Sequence, residues 1–78
     1  MALQAYVLIQ AEPQLASRVA SAVRDLPQVA SCDVLAGPYD AIALVESLDL
    51  EELGRTVVSR IQLIEGVTRT LTCPVVQL

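Results

Sequence analysis

Displaced by 38 positions, the apolar ladder of this 78-residue chain falls on itself: Leu15, Val19, Val23, Leu26 and Val29 map onto Leu53, Val57, Ile61, Ile64 and Val67. In each copy the first four residues are spaced 4, 4 and 3, the stripe that an amphipathic helix turns toward a core. The fifth opens a run with strand character. Ahead of each helix stands a strand candidate, AYVLIQA (5–11) and AIALVES (41–47), and behind each stands another, VASCDVLA (29–36) and VTRTLTCPVV (67–76). The pattern predicts strand, helix, strand, twice. Pro13 suits the first turn of the first helix, and Asp49 with Glu52 three residues on makes a capping box for the second. Pro27 and Gly66 stop the two helices. Gly54 runs against the pattern, since glycine inside a helix costs about 1 kcal/mol relative to alanine.

Two such halves joined by a tight hairpin at Gly37-Pro38 predict one α+β domain over 1–78, a ferredoxin-like βαββαβ sandwich. Its four-stranded antiparallel sheet carries both helices on one face and leaves the other bare. A sheet wetted on one side should show polar residues at every second position. Strands one and three do not: Tyr6 and Leu8 alternate with Val7 and Ile9, and Ile42 and Leu44 with Ala43 and Val45. The chain is 54% hydrophobic and 18% charged, more than one small core can absorb. A second copy covering the bare face, a dimeric α/β-barrel association, is the expected outcome.

The remaining composition excludes several functions. The net charge is −4, with no lysine and five scattered arginines, so phosphate neutralisation and direct nucleic-acid binding are not expected. Two tyrosines, Tyr6 and Tyr39, are too few for the base-stacking platform of RNA-binding domains with this topology. No stretch is long and apolar enough for a membrane span, and the start lacks signal-peptide features, so a cytoplasmic location is expected. There is no histidine, the commonest general base and metal ligand. Cys32 and Cys73 lack metal-type spacing and read as small strand hydrophobes, with Pro74 marking an edge strand. Glu46, Asp49, Glu51 and Glu52 read as a helix entry and its solvated flank. The glycines at 37, 54 and 66 form no phosphate loop. No catalytic residue, metal site or cofactor is expected.

The segments AYVLIQAEP, GPYD followed by AIALVE, DLEELGRTVVSRI and EGVTRTLT together resemble the effector-binding (RAM) domain of the Lrp/AsnC transcriptional regulators. The resemblance covers essentially the whole chain. The family's regulators place a DNA-binding helix-turn-helix before this domain. This sequence opens on the domain's first strand and resembles the stand-alone members. The resemblance implies a homodimer with facing sheets, assembly of dimers into larger oligomers, and an amino acid bound where dimers meet. It also implies a related DNA-binding regulator as partner.

Carried over by matched position, the candidate ligand-binding residues are Gly37, Tyr39 and Asp40 in the hairpin, with Thr68 and Thr70 on strand four. Asp40 suits an ammonium group through a charge-assisted hydrogen bond, and Tyr39 offers an apolar face with a polar tip. Gly37 lets backbone approach a ligand. Backbone N–H groups or the threonine hydroxyls would take the carboxylate. The same residues also suit a plain turn, in which Asp40 bonds local backbone. Two further readings share the topology: a small dimeric α/β-barrel enzyme of monooxygenase or isomerase type, and an ACT-like regulatory domain. The second usually has a glycine at the first strand–helix turn, where this chain has Glu12-Pro13.

Overall fold

The computed structural model describes residues 2–77. Strand β1 (Leu3–Ala11) leads to helix α1 (Ala16–Arg24), then to β2 (Val29–Val34) and β3 (Ala41–Ser47). Helix α2 covers 50–62, and β4 (Val67–Pro74) completes the sheet. The strand order is β2-β3-β1-β4, and all three neighbouring pairs are antiparallel. This is the ferredoxin-like arrangement expected from the repeat. The expected 1–78 span has its two terminal residues outside the described ones.

Strand alternation assigns the faces. Ala5, Val7 and Ile9 of β1 and Ala41, Ala43 and Val45 of β3 are wholly buried beneath the helices. The helices answer with the repeat positions: Val19 and Val23 from α1, and Leu53, Val57 and Ile61 from α2, all at most 3% exposed. Leu15, Leu26, Val29, Ile64 and Val67 pack around this core. Among the described residues no layer covers the other face. Tyr6 is 43% and Leu71 46% exposed, with Leu8, Ile42 and Leu44 half-buried between them.

Three local features depart from the plain repeat. Pro13 precedes α1 instead of entering it, because Glu12 still belongs to the sheet's end and donates its N–H to Gly66 O at 2.7 Å. The chain must then turn before the helix can start. Leu15 N closes a turn onto Glu12 O at 3.0 Å, with Pro13 second and Gln14 third at φ 71°. Proline followed by a positive φ is the pattern of a type II turn, and proline's fixed φ serves it as well as a helix start.

The second departure is in α2. Leu53–Val58 forms a π turn around Gly54, whose carbonyl accepts from Ser59 Oγ at 3.1 Å. Residues spaced by four drift around an α-helix of period 3.6, and a wider turn takes back part of that drift. Leu53, Val57 and Ile61 thus all reach the sheet. The helix start matches expectation in part: Glu52 N donates to Asp49 Oδ1 at 2.8 Å. Glu52 Oε1 turns back to Leu48 N and to the hydroxyl of buried Ser47, both at 3.0 Å.

The third departure is a pair of bulges. Gln10 faces Arg69 while Ala11 faces Val67, which leaves Thr68 as an extra residue in β4. Val29 faces Val45 while Ser31 faces Leu44, which leaves Ala30 extra in β2. Arg24 Nε donates to Cys32 O at 2.8 Å, occupying a carbonyl of the edge strand β2.

Candidate functional site

The hairpin between β2 and β3 is a four-residue loop closed by Leu35 N on Asp40 O at 2.8 Å. Two bonds from Asp40 fix it to the end of β1. Its N–H donates to Ile9 O at 2.8 Å, and its Oδ2 accepts from Ala11 N at 2.8 Å. Ala11 lies past the last β1–β3 pair, Ile9 with Ala41, so the carboxylate serves a backbone group beyond the end of that ladder. A third tie runs from Gln10 Nε2 to Pro38 O at 2.9 Å. The loop is held as a rigid projection at one end of the sheet.

Within that projection Gly37 and Pro38 are exposed, and Tyr39 and Asp40 are half-buried. A Cβ at Gly37 would meet nothing within 4 Å, so no packing inside the chain demands glycine there. Among the described residues no donor reaches the second carboxylate oxygen of Asp40. Thr68 is exposed at the β4 bulge, out of line with Thr70, which turns toward the helix side. Thr70 Oγ1 accepts from Gln62 Nε2 at 3.0 Å. Both threonines line a shallow depression with Gln62, Val67 and Arg69. The hairpin and this depression flank β1 on opposite sides at the same end of the sheet. The single chain brings the five candidates to one end of the sheet without joining them in one cavity.

Sequence reasoning missed Gln10 and Gln62, which anchor the hairpin carbonyl and Thr70. For Gln10 a signal existed: a glutamine closing the apolar run YVLI has no place in a greasy strand unless its amide has a task. The other reactive groups offer little chemistry. Cys32 is 3% exposed, and burial pushes its thiol up, with Arg24 opposing and Asp33 reinforcing. A thiol raised this way is a poor nucleophile. Cys73, expected to be a buried strand hydrophobe, is exposed on the uncovered face, because the edge strand there has no layer above it. Among the described residues no three His, Cys, Asp or Glu side chains cluster as metal ligands would.

The dual engagement of Asp40 separates by substitution. Asp40→Ala leaves Ala11 N–H without its acceptor and should lower unfolding free energy by about 1–2 kcal/mol. Asp40→Asn keeps an acceptor oxygen, removes the charge, and should stay within about 0.5 kcal/mol of the native chain. Urea unfolding of the two variants measures both.

A model of the Lrp/AsnC ligand binding domain matches residues 4–77. An uncharacterized HTH-type transcriptional regulator of Pyrococcus abyssi (strain GE5 / Orsay) is 34% identical over 71 residues, 87% of this chain and 47% of that protein. The chain thus spans about half the length of the curated relatives it matches. The crystal structure of TTHA0845 from Thermus thermophilus superposes with a TM-score of 0.88 at 38% identity, covering 97% of this chain and 95% of that one. The transcriptional regulator NMB0573 of Neisseria meningitidis, solved as its L-Met complex, gives 0.83 at 25% identity, over 96% of this chain and 50% of that one. The sequence match and the fold agree: the chain belongs to the Lrp/AsnC ligand-binding domain family, the regulatory ligand-binding domain of transcription regulators.

Proposed function

We propose that this chain is a non-catalytic, self-associating module that binds an amino acid at a contact between subunits, with the hairpin 35–40 as one wall. The observation that carries the reading is the anchoring of Asp40. One carboxylate oxygen is fixed by Ala11 N–H and, among the described residues, no hydrogen bond occupies the other, while Gly37 in the same loop is exposed. A carboxylate held in place loses little freedom on meeting an ammonium group. Tyr39 supplies apolar surface, and Thr68 and Thr70 stand on the far side of β1 for the ligand's other end. The L-Met bound by the Neisseria relative supports the ligand class.

The uncovered apolar sheet face supports a homodimer, and the incomplete edge site supports further assembly of dimers. A ligand completing such a site favours the assembly that contains it. In the cell the module would modulate amino-acid metabolism or a DNA-binding relative in the cytoplasm. Among the described residues no helix is long and apolar enough to cross a membrane.

Thermal melts against the twenty amino acids test the binding. At a hundredfold excess over Kd the bound amino acid should add about 2.7 kcal/mol to stability. Asp40→Asn should abolish that shift while melting normally without ligand. Melts that no amino acid moves, or an Asn variant that responds like the native chain, would overturn the assignment of Asp40.

A further inference from the structure

Asp40 does not hold the tip of the hairpin. Both of its bonds to β1 act at the loop's trailing end, and Leu35 N on Asp40 O closes only the base. Among the described residues the tip, 36–39, has one hydrogen bond to the sheet, from Gln10 Nε2 to Pro38 O at 2.9 Å.

That bond acts on the one backbone dihedral at Pro38 that the residue leaves open. Proline's ring fixes φ, so the direction of the carbonyl depends on ψ alone. Gln10 holds this carbonyl at the end of β1. The peptide from Pro38 to Tyr39 is planar and trans, so its N–H points opposite to its C=O. With Pro38 O turned to Gln10, Tyr39 N–H is turned away from it. Among the described residues that N–H meets no acceptor.

The place of Gln10 in the sheet suits the task. Its backbone pairs with Arg69 of β4, while its side-chain amide crosses toward the β2–β3 hairpin on the other side of β1. It stands between wholly buried Ile9 and Ala11, whose N–H meets Asp40. The donor is therefore mounted on a strand that cannot shift without disturbing the core.

Resting on the amino-acid reading proposed above, we propose that Gln10 is a positioning residue for the ligand. By fixing the Pro38 carbonyl it presents Tyr39 N–H as a donor to the amino acid's carboxylate, in the same loop as the Asp40 carboxylate that takes the ammonium. The hairpin then meets both charged groups and leaves the ligand's side chain to the wall across β1. A donor already held in place has little freedom to lose on binding. Released from Gln10, the same peptide can turn its carbonyl outward, where it repels a carboxylate.

Two substitutions separate positioning from stability. Gln10→Met keeps the length and neutrality of the side chain and removes the donor, and Gln10→Lys restores a donor. Gln10→Met should melt within about 4 °C of the native chain, as an exposed change does. Nitrogen-15 relaxation without ligand reads the loop directly. The order parameter of Tyr39 N–H should be about 0.85 in the native chain and in Gln10→Lys, and below about 0.6 in Gln10→Met. Calorimetry then uses the amino acid, of the twenty, that most raises the native melting midpoint. Gln10→Met should bind it about three- to tenfold more weakly, with Gln10→Lys recovering most of the loss.

Equal order parameters at Tyr39 in the native chain and Gln10→Met would show that the bond holds nothing and would overturn the proposal. So would a loosened loop that binds with native affinity, and in that case the amino-acid reading survives. A Gln10→Lys variant as loose as Gln10→Met would remove donation as the cause. A native chain that no amino acid stabilises sinks the underlying reading, and the positioning role with it.

Discussion

Alanine at position 66 should lower the unfolding free energy by about 2–4 kcal/mol, from backbone strain and crowding acting together. Gly66 has φ 100°, which a side chain resists. A Cβ there would lie 3.1 Å from Leu15 Cδ1 and 3.1 Å from Val19 Cγ2. Val19 is wholly buried and cannot swing aside. The carbonyl of Gly66 also accepts from Glu12 N, so a backbone shift that eased the crowding would strain the junction of β1 with α1. For a domain of this size each 1 kcal/mol moves the melting midpoint by about 4–8 °C. Gly37→Ala is the control, since its Cβ meets nothing within 4 Å and it should melt close to the native chain. Similar midpoints for the two variants would contradict the turn geometry at 66.

The repeat made the architecture legible because both helices answer the same demand. Residues spaced 4, 4 and 3 can all reach a sheet only from one side of a helix, and Val19, Val23, Val57 and Ile61 do reach it. The uncovered face was legible for a related reason. Tyr6, Leu8, Ile42 and Leu44 stand where a wetted strand would place polar groups, and they lie on the side without helices. Features that depend on contacts between halves were not legible. Whether Pro13 enters the helix or turns ahead of it is decided by Glu12 bonding Gly66, residues far apart in sequence. The place of Thr68 follows from a bulge, and the threonine alternation is equally regular with or without one. Gly54 was visible as an anomaly, but its resolution as a π turn needed the carbonyl acceptor for Ser59. In the candidate site the residue types were legible and their engagement was not. A turn aspartate bonds its own loop or something beyond it, and here one oxygen of Asp40 crosses to Ala11.

Glutamate at position 8 should convert a dimer into a monomer while leaving the fold intact. Leu8 sits on β1, one of the two central strands, in the middle of the uncovered face between Ile42 and Leu71. It is half-buried in the single chain, so a glutamate there can still extend its carboxylate to water. In a face-to-face pair the two-fold axis brings the residue in twice, and two like charges would be stripped of water with no partner. The effective cost of burying such a charge is several kcal/mol. A loss of about 4 kcal/mol raises Kd roughly a thousandfold, enough to dissociate a micromolar dimer under any ordinary condition. Leu63→Glu is the matched control: Leu63 is 84% exposed just after α2, in the helical layer, and the change there should leave association untouched. Sedimentation velocity separates the cases, with far-UV circular dichroism showing that secondary structure persists in both variants. If Leu8→Glu sediments with the native chain, the face lies open in the assembly and its apolar residues serve some other contact.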